Sequence, residues 1–192
     1  MQPKLILVLL QPQHMDDSIL NLNDETGKTL PCQVEITLEV DGEDYLLLKP
    51  VDHAVYIFAW GEGEDEEDEL LLDIEEDELD RIFSIAQAVL SEQNLKLQRT
   101  AYTLTASGEL PELDEDEIFT IDAEEEDASE EFQELAHFFF EEQEYSVFTS
   151  LDPLMFFAKL DSNGNPEMLS PEEIQRIQPY VEQHLIDPDE EI

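Results

Sequence analysis

The sequence predicts an α+β fold of two related units, each an antiparallel β-meander covered by one C-terminal helix. Three observations lead to this prediction. Residues 33–40 alternate apolar and polar side chains, as a half-buried strand does. Residues 79–90 place apolar side chains three and four positions apart, as an amphipathic helix does. The same order of patterns then recurs about 100 residues further along the chain.

The first meander is predicted around a hairpin. Asp41-Gly42 is a turn signal, and it joins the alternating strand to a second one at Tyr45–Leu48. Val55–Trp60 is a short apolar run bounded by turn residues, which indicates a buried third strand. We therefore expect these three strands to pair in sequence order.

A helix is predicted over Glu75–Ser91, with Asp73 and Glu76 as a candidate capping box. After it, Lys96–Thr105 is rich in β-branched and aromatic residues and is predicted to be a strand, with Ile118–Ile121 as its partner.

The second unit repeats this order. Tyr145–Phe148 and Leu154–Leu160 are predicted strands. Ser170 is a strong helix N-cap, because a proline takes the first helical position and Glu173 closes a capping box. Equivalent residues are offset by 100 in the strands and by 95 in the helices: Tyr45 with Tyr145, Asp52 with Asp152, Arg81 with Arg176, and Ile82 with Ile177.

Four regions follow from these patterns. Residues 1–14 are interpreted as an N-terminal arm, with an edge strand and translation from upstream of a start at Met15 as alternatives. Residues 15–95 are predicted to form the first meander with its helix, 96–130 a connecting hairpin with an acidic linker, and 131–192 the second meander with its helix and an acidic tail. The arm contains six consecutive apolar residues, fewer than the ~7–15 of a signal-peptide core. No stretch reaches the ~20 apolar residues of a membrane span. A single cysteine, Cys32, fits a reducing compartment. A cytoplasmic protein without membrane insertion is therefore expected.

The net charge of the chain limits the classes of molecule that it can bind. The 192 residues include 51 acidic and only 8 basic side chains, so the formal net charge is −43. DNA, RNA and anionic lipid surfaces repel such a chain, whereas a basic protein surface attracts it. The acidic run at 62–69 is predicted to be a mobile loop. The candidate partner-binding residues are Glu64, Asp65, Glu66, Glu67, Asp68, Phe138 and Phe139.

The residues that could carry chemistry favour structural interpretations. Asp161, Asn163, Asn165 and Glu172 occupy positions 1, 3, 5 and 12 of a calcium loop, but Pro166 stands where the loop needs glycine, so a polar turn is favoured. No zinc spacing, phosphate-binding glycine loop or nucleophile–histidine arrangement is present. No catalytic residue and no cofactor is assigned.

Several motifs bear a family resemblance: Leu30–Glu35, Tyr45–Asp52, Ile57–Trp60, Arg99–Thr105, Gly108–Pro111, Leu151–Ala158 and Leu169–Glu173. Together they resemble acidic cyanobacterial and chloroplast proteins that carry a domain of unknown function. Each half also resembles a short acidic module found in other bacteria. The resemblance implies a photosynthetic host, with a stromal location for chloroplast relatives, and it implies no activity.

The sequence therefore favours a non-enzymatic adaptor that binds a basic partner and acts in assembly or gene expression. Two alternatives remain open. One is a nucleic-acid mimic that occupies a DNA- or RNA-binding protein. The other is an enzyme whose pocket collects His53, Tyr56, His137 and Asp152.

Overall fold

The structure is a computed structural model that describes residues 18–62, 69–114, 118–122 and 129–186. The described strands are β1 (Ile19–Asn23), β2 (Thr29–Val40), β3 (Glu43–Pro50), β4 (His53–Glu62), β5 (Glu69–Asp73), β6 (Lys96–Arg99), β7 (Leu104–Ser107), β8 (Ile118–Asp122), β9 (Ser129–Phe140), β10 (Gln143–Ser150), β11 (Phe156–Leu160) and β12 (Pro166–Met168). The described helices are α1 (Glu76–Ser91) and α2 (Pro171–Ile186). Neither is long and apolar enough to cross a membrane.

The chain forms two compact units. In the described residues, unit I comprises 18–23, 29–51 and 155–186, and unit II comprises 24–28, 52–62, 69–114, 118–122 and 129–154. Unit I holds a five-stranded sheet in the order β1-β2-β3-β11-β12. Unit II holds a seven-stranded sheet in the order β6-β7-β4-β10-β9-β8, with β5 also paired to β4.

This arrangement corrects the predicted fold class. The described chain is mostly β, with two sheets and two helices, and it is not an α+β pair of meanders that are each covered by their own C-terminal helix. The third strand of each predicted meander pairs with the hairpin from the other half of the chain: β4 pairs with β10, and β11 pairs with β3. Alternation predicts a strand and its buried face, but it does not specify which strand edge becomes the partner.

The predicted hairpin at Asp41-Gly42 is confirmed. β2 pairs with β3 antiparallel, and both turn residues have positive φ, at 55° and 82°. A two-residue type I′ turn needs this geometry. The hairpin of β9 and β10 has the same geometry, although its turn residues are Glu141 and Glu142, with φ of 58° and 100°.

Helix α1 packs its apolar stripe into the core of unit II. Ile82, Ala86 and Leu90 are buried in a cluster with side chains of β4, β9 and β10. Its N-cap is Glu75, which makes no side-chain capping bond, so the predicted Asp73–Glu76 capping box is wrong. Acidic residues in its first turn instead interact favourably with the positive end of the helix dipole.

Helix α2 packs into the core of unit I. Ile177 and Val181 are buried in a cluster with Val40 and Tyr45. Its predicted capping box is confirmed, because the Ser170 N–H donates to Glu173 Oε2 at 2.9 Å and the Glu173 N–H donates to Ser170 Oγ at 3.3 Å.

The predicted strand over Lys96–Thr105 is divided in two. A tight turn separates β6 from β7, and the Thr100 N–H donates to the Thr103 carbonyl at 3.2 Å. Tyr102 occupies the left-handed region of this turn, with φ of 67°. β6 and β7 pair with each other, and β8 pairs with β9, so the predicted pairing with Ile118–Ile121 is wrong.

Candidate partner-binding surface

Strand β5 presents two leucine side chains to solvent. Leu70 is 47% exposed and Leu72 is 48% exposed, and both lie on one face of the strand because alternate residues do. The Leu72 side chain lies over Gly61 of β4, where an added Cβ would come within 2.5 Å of Leu72 Cδ1. Gly61 therefore makes room for Leu72.

Exposed carboxylates follow these leucines directly along the chain. Asp73 ends β5, Glu75 is the N-cap of α1, and Glu76 and Asp77 lie in the first turn of the helix. We name this group the β5–α1 surface: Leu70, Leu72, Asp73, Glu75, Glu76 and Asp77. The sequence prediction missed it, although three consecutive leucines between acidic runs were its signal. The predicted binding residues Glu64–Asp68 precede the surface in sequence and lie outside the described residues.

Most basic side chains of the described chain are already paired. Of the 8 basic residues, Lys4 lies outside the described part, and four of the others form ion pairs. The pairs are Arg81–Glu141 at 2.7 Å, Arg99–Asp80 at 2.5 Å, Lys159–Glu173 at 2.5 Å and Arg176–Glu43 at 3.1 Å. Most carboxylates therefore have no basic residue to neutralise them, and the surface presents a negative potential to a partner.

The acidic side of α1 is anchored to the β9–β10 hairpin. The Tyr145 hydroxyl donates to Glu78 Oε1 at 2.6 Å, and burial together with this hydrogen bond raises the pKa of Tyr145 to about 12. The Arg81 guanidinium, paired with Glu141, lies 5.3 Å from the centroid of the Phe140 ring. These contacts fix the helix from which the acidic first turn projects.

The three consecutive phenylalanines of β9 have different environments. Phe138 is buried and stacks on Tyr145, with ring centroids 5.4 Å apart. Phe140 is half-buried under Arg81. Phe139 is 64% exposed and is the one member of the run that a partner could contact. Of the predicted pair Phe138 and Phe139, only Phe139 presents its side chain to solvent.

A shallow pocket of about 270 Å³ lies where the end of α1 meets β9. Its lining residues are Val89, Glu92, Gln93, Glu134, Leu135, Ala136 and His137. The Gln93 side-chain amide donates to the Leu135 carbonyl, and Glu134 Oε1 accepts a hydrogen bond from Ser146 Oγ at 2.6 Å. Two carboxyl groups and an imidazole at an open pocket suit a cationic side chain.

The residues of the enzyme alternative do not share this pocket. His137 lines it, whereas His53, Tyr56 and Asp152 are not among its lining residues. The Tyr56 ring instead packs edge-on against Phe132, with centroids 5.6 Å apart. The Cys32 thiol is buried, and burial raises its pKa to about 11, so it is a poor nucleophile.

The calcium-like motif forms the loop between β11 and β12. The Asp161 carboxylate accepts hydrogen bonds from the backbone N–H groups of Asn165 at 2.8 Å and Asn163 at 2.7 Å. These hydrogen bonds lower the pKa of Asp161. Glu172 is exposed on the first turn of α2. The geometry supports the polar-turn interpretation. Across the described chain, no three His, Cys, Asp or Glu side chains are grouped to hold a metal ion.

A second loop of the chain has the same geometry. Between β1 and β2, Asp24 Oδ1 accepts hydrogen bonds from the backbone N–H groups of Thr26 and Lys28, both at 2.9 Å. A glycine follows at the fourth position of each loop, with φ of 85° at Gly27 and 84° at Gly164. The two loops therefore close hairpins by the same side-chain hydrogen bonds.

Two family models each match part of the chain. Residues 25–91 match a family described as "Protein of unknown function (DUF1292)", and residues 94–188 match one described as "Protein of unknown function (DUF3727)". No solved structure matches the chain.

Two curated relatives resemble part of the chain. A UPF0473 protein of Alkaliphilus oremlandii is 35% identical over 82 residues, which cover 40% of this chain and 94% of that protein. A UPF0473 protein of Desulforudis audaxviator is 38% identical over 71 residues, which cover 34% of this chain and 80% of that protein. The chain belongs to the family of UPF0473 proteins, of unknown function, and carries a second domain of unknown function after the part that matches DUF1292.

Proposed function

We propose that this protein is a non-enzymatic adaptor whose β5–α1 surface binds a basic, partly apolar segment of another protein. The observation that carries this proposal is the position of two half-exposed leucines immediately before a row of exposed carboxylates. A partner segment with apolar and basic side chains would bury the leucines and neutralise the acids.

The pairing of the basic residues supports this proposal. Arg81 on α1 is held by Glu141, and Arg99 on β6 is held by Asp80. They are therefore not free to neutralise the acidic first turn of the helix. Long-range attraction from the excess charge would speed encounter with a basic partner and would weaken as salt is added.

The resemblance to cyanobacterial and chloroplast proteins supplies the proposed setting. In a photosynthetic cell the adaptor would act in the cytoplasm, or in the plastid stroma for chloroplast relatives. Assembly and gene-expression complexes in such cells would offer basic partner surfaces.

The test is affinity purification of the tagged full chain from its native host at low salt, followed by mass spectrometry. We expect a basic protein that is retained at low salt and released by added NaCl. The double variant Leu70→Ser/Leu72→Ser should lose this protein. Leu113→Ser is the matched control, because Leu113 is 52% exposed and lies outside the β5–α1 surface.

Three results would contradict the proposal. Recovery of no partner at low salt is the first, and retention by the double serine variant is the second. The third is a partner that resists high salt, since electrostatic attraction between exposed groups is screened. If DNA or RNA competes for the captured protein, the chain acts as a nucleic-acid mimic.

A further inference from the structure

The pairing between strands of the two halves follows one register in both sheets. In unit I, β3 pairs with β11 so that Tyr45 faces Lys159 and Leu48 faces Phe156. In unit II, β10 pairs with β4 so that Tyr145 faces Ala59 and Phe148 faces Tyr56. The two sets of pairs are equivalent. Adding 100 to the number of the β3 residue gives its β10 equivalent, and subtracting 100 from the number of the β11 residue gives its β4 equivalent.

The first strand of each half also pairs with the equivalent neighbour, with a register that differs by one residue. β1 pairs with β2 with Ile19 opposite Gln33, and β8 pairs with β9 with Ile118 opposite Gln133. Each hairpin also has a register shift at the equivalent place, which leaves Glu35 of β2 and Leu135 of β9 without a cross-strand partner.

The last strand of each half, β5 or β12, pairs with the strand before it, and the helix that follows packs with the hairpin of the other half. β5 joins β4 with Asp73 opposite Phe58, and β12 joins β11 with Met168 opposite Ala158. Helix α1 packs with the hairpin of the second half, because Ile82 lies in one buried cluster with Tyr145. Helix α2 packs with the hairpin of the first half, because Ile177 lies in one cluster with Tyr45.

We propose that the chain is a fused, strand-exchanged dimer of one repeat. Each hairpin carries an interaction surface made of its free strand edge and the face around Tyr45 or Tyr145. The partner that this surface fits is the strand–strand–helix segment of another copy of the repeat. Both copies of the repeat lie in one chain here, so each copy supplies the strands and the helix that cover the hairpin of the other copy.

Physical reasons favour the exchange over independent halves. A two-stranded hairpin is marginally stable in water, and it gains stability when a third strand and a covering helix are added. A neighbouring copy supplies these elements by adding a strand to the exposed edge. Exchange of identical elements between protomers is also a low-cost route to dimers. The Alkaliphilus relative matches this chain over 82 residues and 94% of its own length, so exchange in it would require two chains.

Cross-linking of the folded full chain tests the inference. Cys32 is first replaced by alanine, and a recognition site for a specific protease is inserted after Leu113, between the halves. Cysteines then replace Glu43 and Arg176, or Arg81 and Glu141, which are ion pairs in this structure. A short bismaleimide links each pair, and the protein is cleaved and run on a denaturing gel.

Both pairs should join the two fragments into one band. The matched control is Glu43→Cys/Arg81→Cys. Both of its cysteines lie in the N-terminal fragment, so the control should give two separate fragments whether or not they are linked. Cleavage without cross-linking should leave the two fragments in one complex during native size-exclusion chromatography.

Two outcomes would overturn the inference. One is that neither ion-pair variant joins the fragments although its circular dichroism spectrum and melting temperature match those of the parent. The other is that the cleaved, uncross-linked fragments separate while each keeps its native circular dichroism spectrum.

Discussion

Arg176 on α2 donates a hydrogen bond to the Glu43 carboxylate on β3, 133 residues away in sequence, at 3.1 Å. The same guanidinium donates to the Tyr45 hydroxyl and lies 5.7 Å from the centroid of the Tyr45 ring. This contact attaches a helix from the second half of the chain to a hairpin from the first half. Its repeat equivalent is the pair of Arg81 and Glu141.

Arg176→Glu should lower the melting temperature at low salt, because it places a second carboxylate beside Glu43. The drop should be no more than a few °C, since the two side chains are 50% and 65% exposed and water screens their interaction. Adding Glu43→Arg to the same chain should recover part of the loss. Thermal unfolding at 10 mM and 500 mM NaCl measures both effects. A drop of the same size at both salt concentrations would show that lost packing on Tyr45, and not charge, is the cause.

Truncation of the buried isoleucine on either helix should destabilise the protein much more. Ile82 and Ile177 are both 0% exposed, so Ile82→Ala and Ile177→Ala should each lower the free energy of unfolding by about 2–5 kcal/mol. Hydrogen exchange should localise the loss to strands that share each helix's buried cluster, among them β4, β9 and β10 for Ile82, and β2 and β3 for Ile177.

The control for these truncations is Leu113→Ala, because Leu113 is 52% exposed and its loss should change stability by less than about 0.5 kcal/mol. If Ile82→Ala speeds exchange in β2 and β3 instead of β9 and β10, the assignment of α1 to unit II is wrong.

The local elements of this fold could be predicted from sequence, but their pairing could not. The alternation at 33–40 and the turn at Asp41-Gly42 predict the first hairpin, because backbone conformation and the buried face depend on neighbouring residues. The capping box of Ser170 and Glu173 is equally local. The pairing of β4 with β10 joins Ala59 to Tyr145 and Val55 to Thr149, which are far apart in sequence, and alternation contains no information about such a pairing.

The candidate surface was only partly predictable for a related reason. Three consecutive phenylalanines indicate that at least one is exposed, and the structure identifies Phe139. The exposure of Leu70 and Leu72 follows from their position on β5, an element that the sequence pattern did not predict. Their apolar character alone predicts burial.

Two glycines with positive φ should respond differently to substitution. Gly108 has φ of 128°, and an added Cβ would lie 2.6 Å from the Asn94 carbonyl oxygen. Gly164 has φ of 84° and open space around the same position. Gly164→Ala should lower the free energy of unfolding by about 1 kcal/mol, from backbone strain alone.

Gly108→Ala should cost about 1–3 kcal/mol beyond that, because a backbone atom must move. Urea unfolding of both variants measures the difference. Equal losses would mean that the turn after α1 can shift away from Gly108 without cost.

The Glu173 carboxyl should titrate well below its ordinary range. Its hydrogen bond with Lys159, followed by the bonds from Ser170, lowers the pKa of Glu173 to about 2 from an ordinary value of 4.5. Because the folded pKa is depressed, the stabilisation is complete above about pH 4.5 and is lost as the pH falls toward 2. Lys159→Met should raise the pKa, and Ser170→Ala should raise it less.

An NMR titration of the side-chain carboxyl carbon of Glu173 measures these shifts. Glu172 is the internal reference, since it is the exposed neighbour on the same helical turn. If Glu173 keeps the same pKa in the Lys159→Met variant, the ion pair is not the main cause of the shift.

Added salt should stabilise the whole protein. With a net charge of −43 and most basic side chains of the described chain in ion pairs, the remaining carboxylates repel one another in the folded state more than in the expanded chain. The screening length falls from about 30 Å at 0.01 M salt to about 8 Å at 0.15 M. The melting temperature should therefore rise over this range and level off above it.

Differential scanning calorimetry at constant pH measures this rise. NaCl and KCl should act equally, because screening depends on ionic strength and not on a specific site. A melting temperature that does not change, or that falls, would show that the carboxylates are too far apart or too well solvated to repel one another. A rise with one cation alone would point to specific binding of that cation instead.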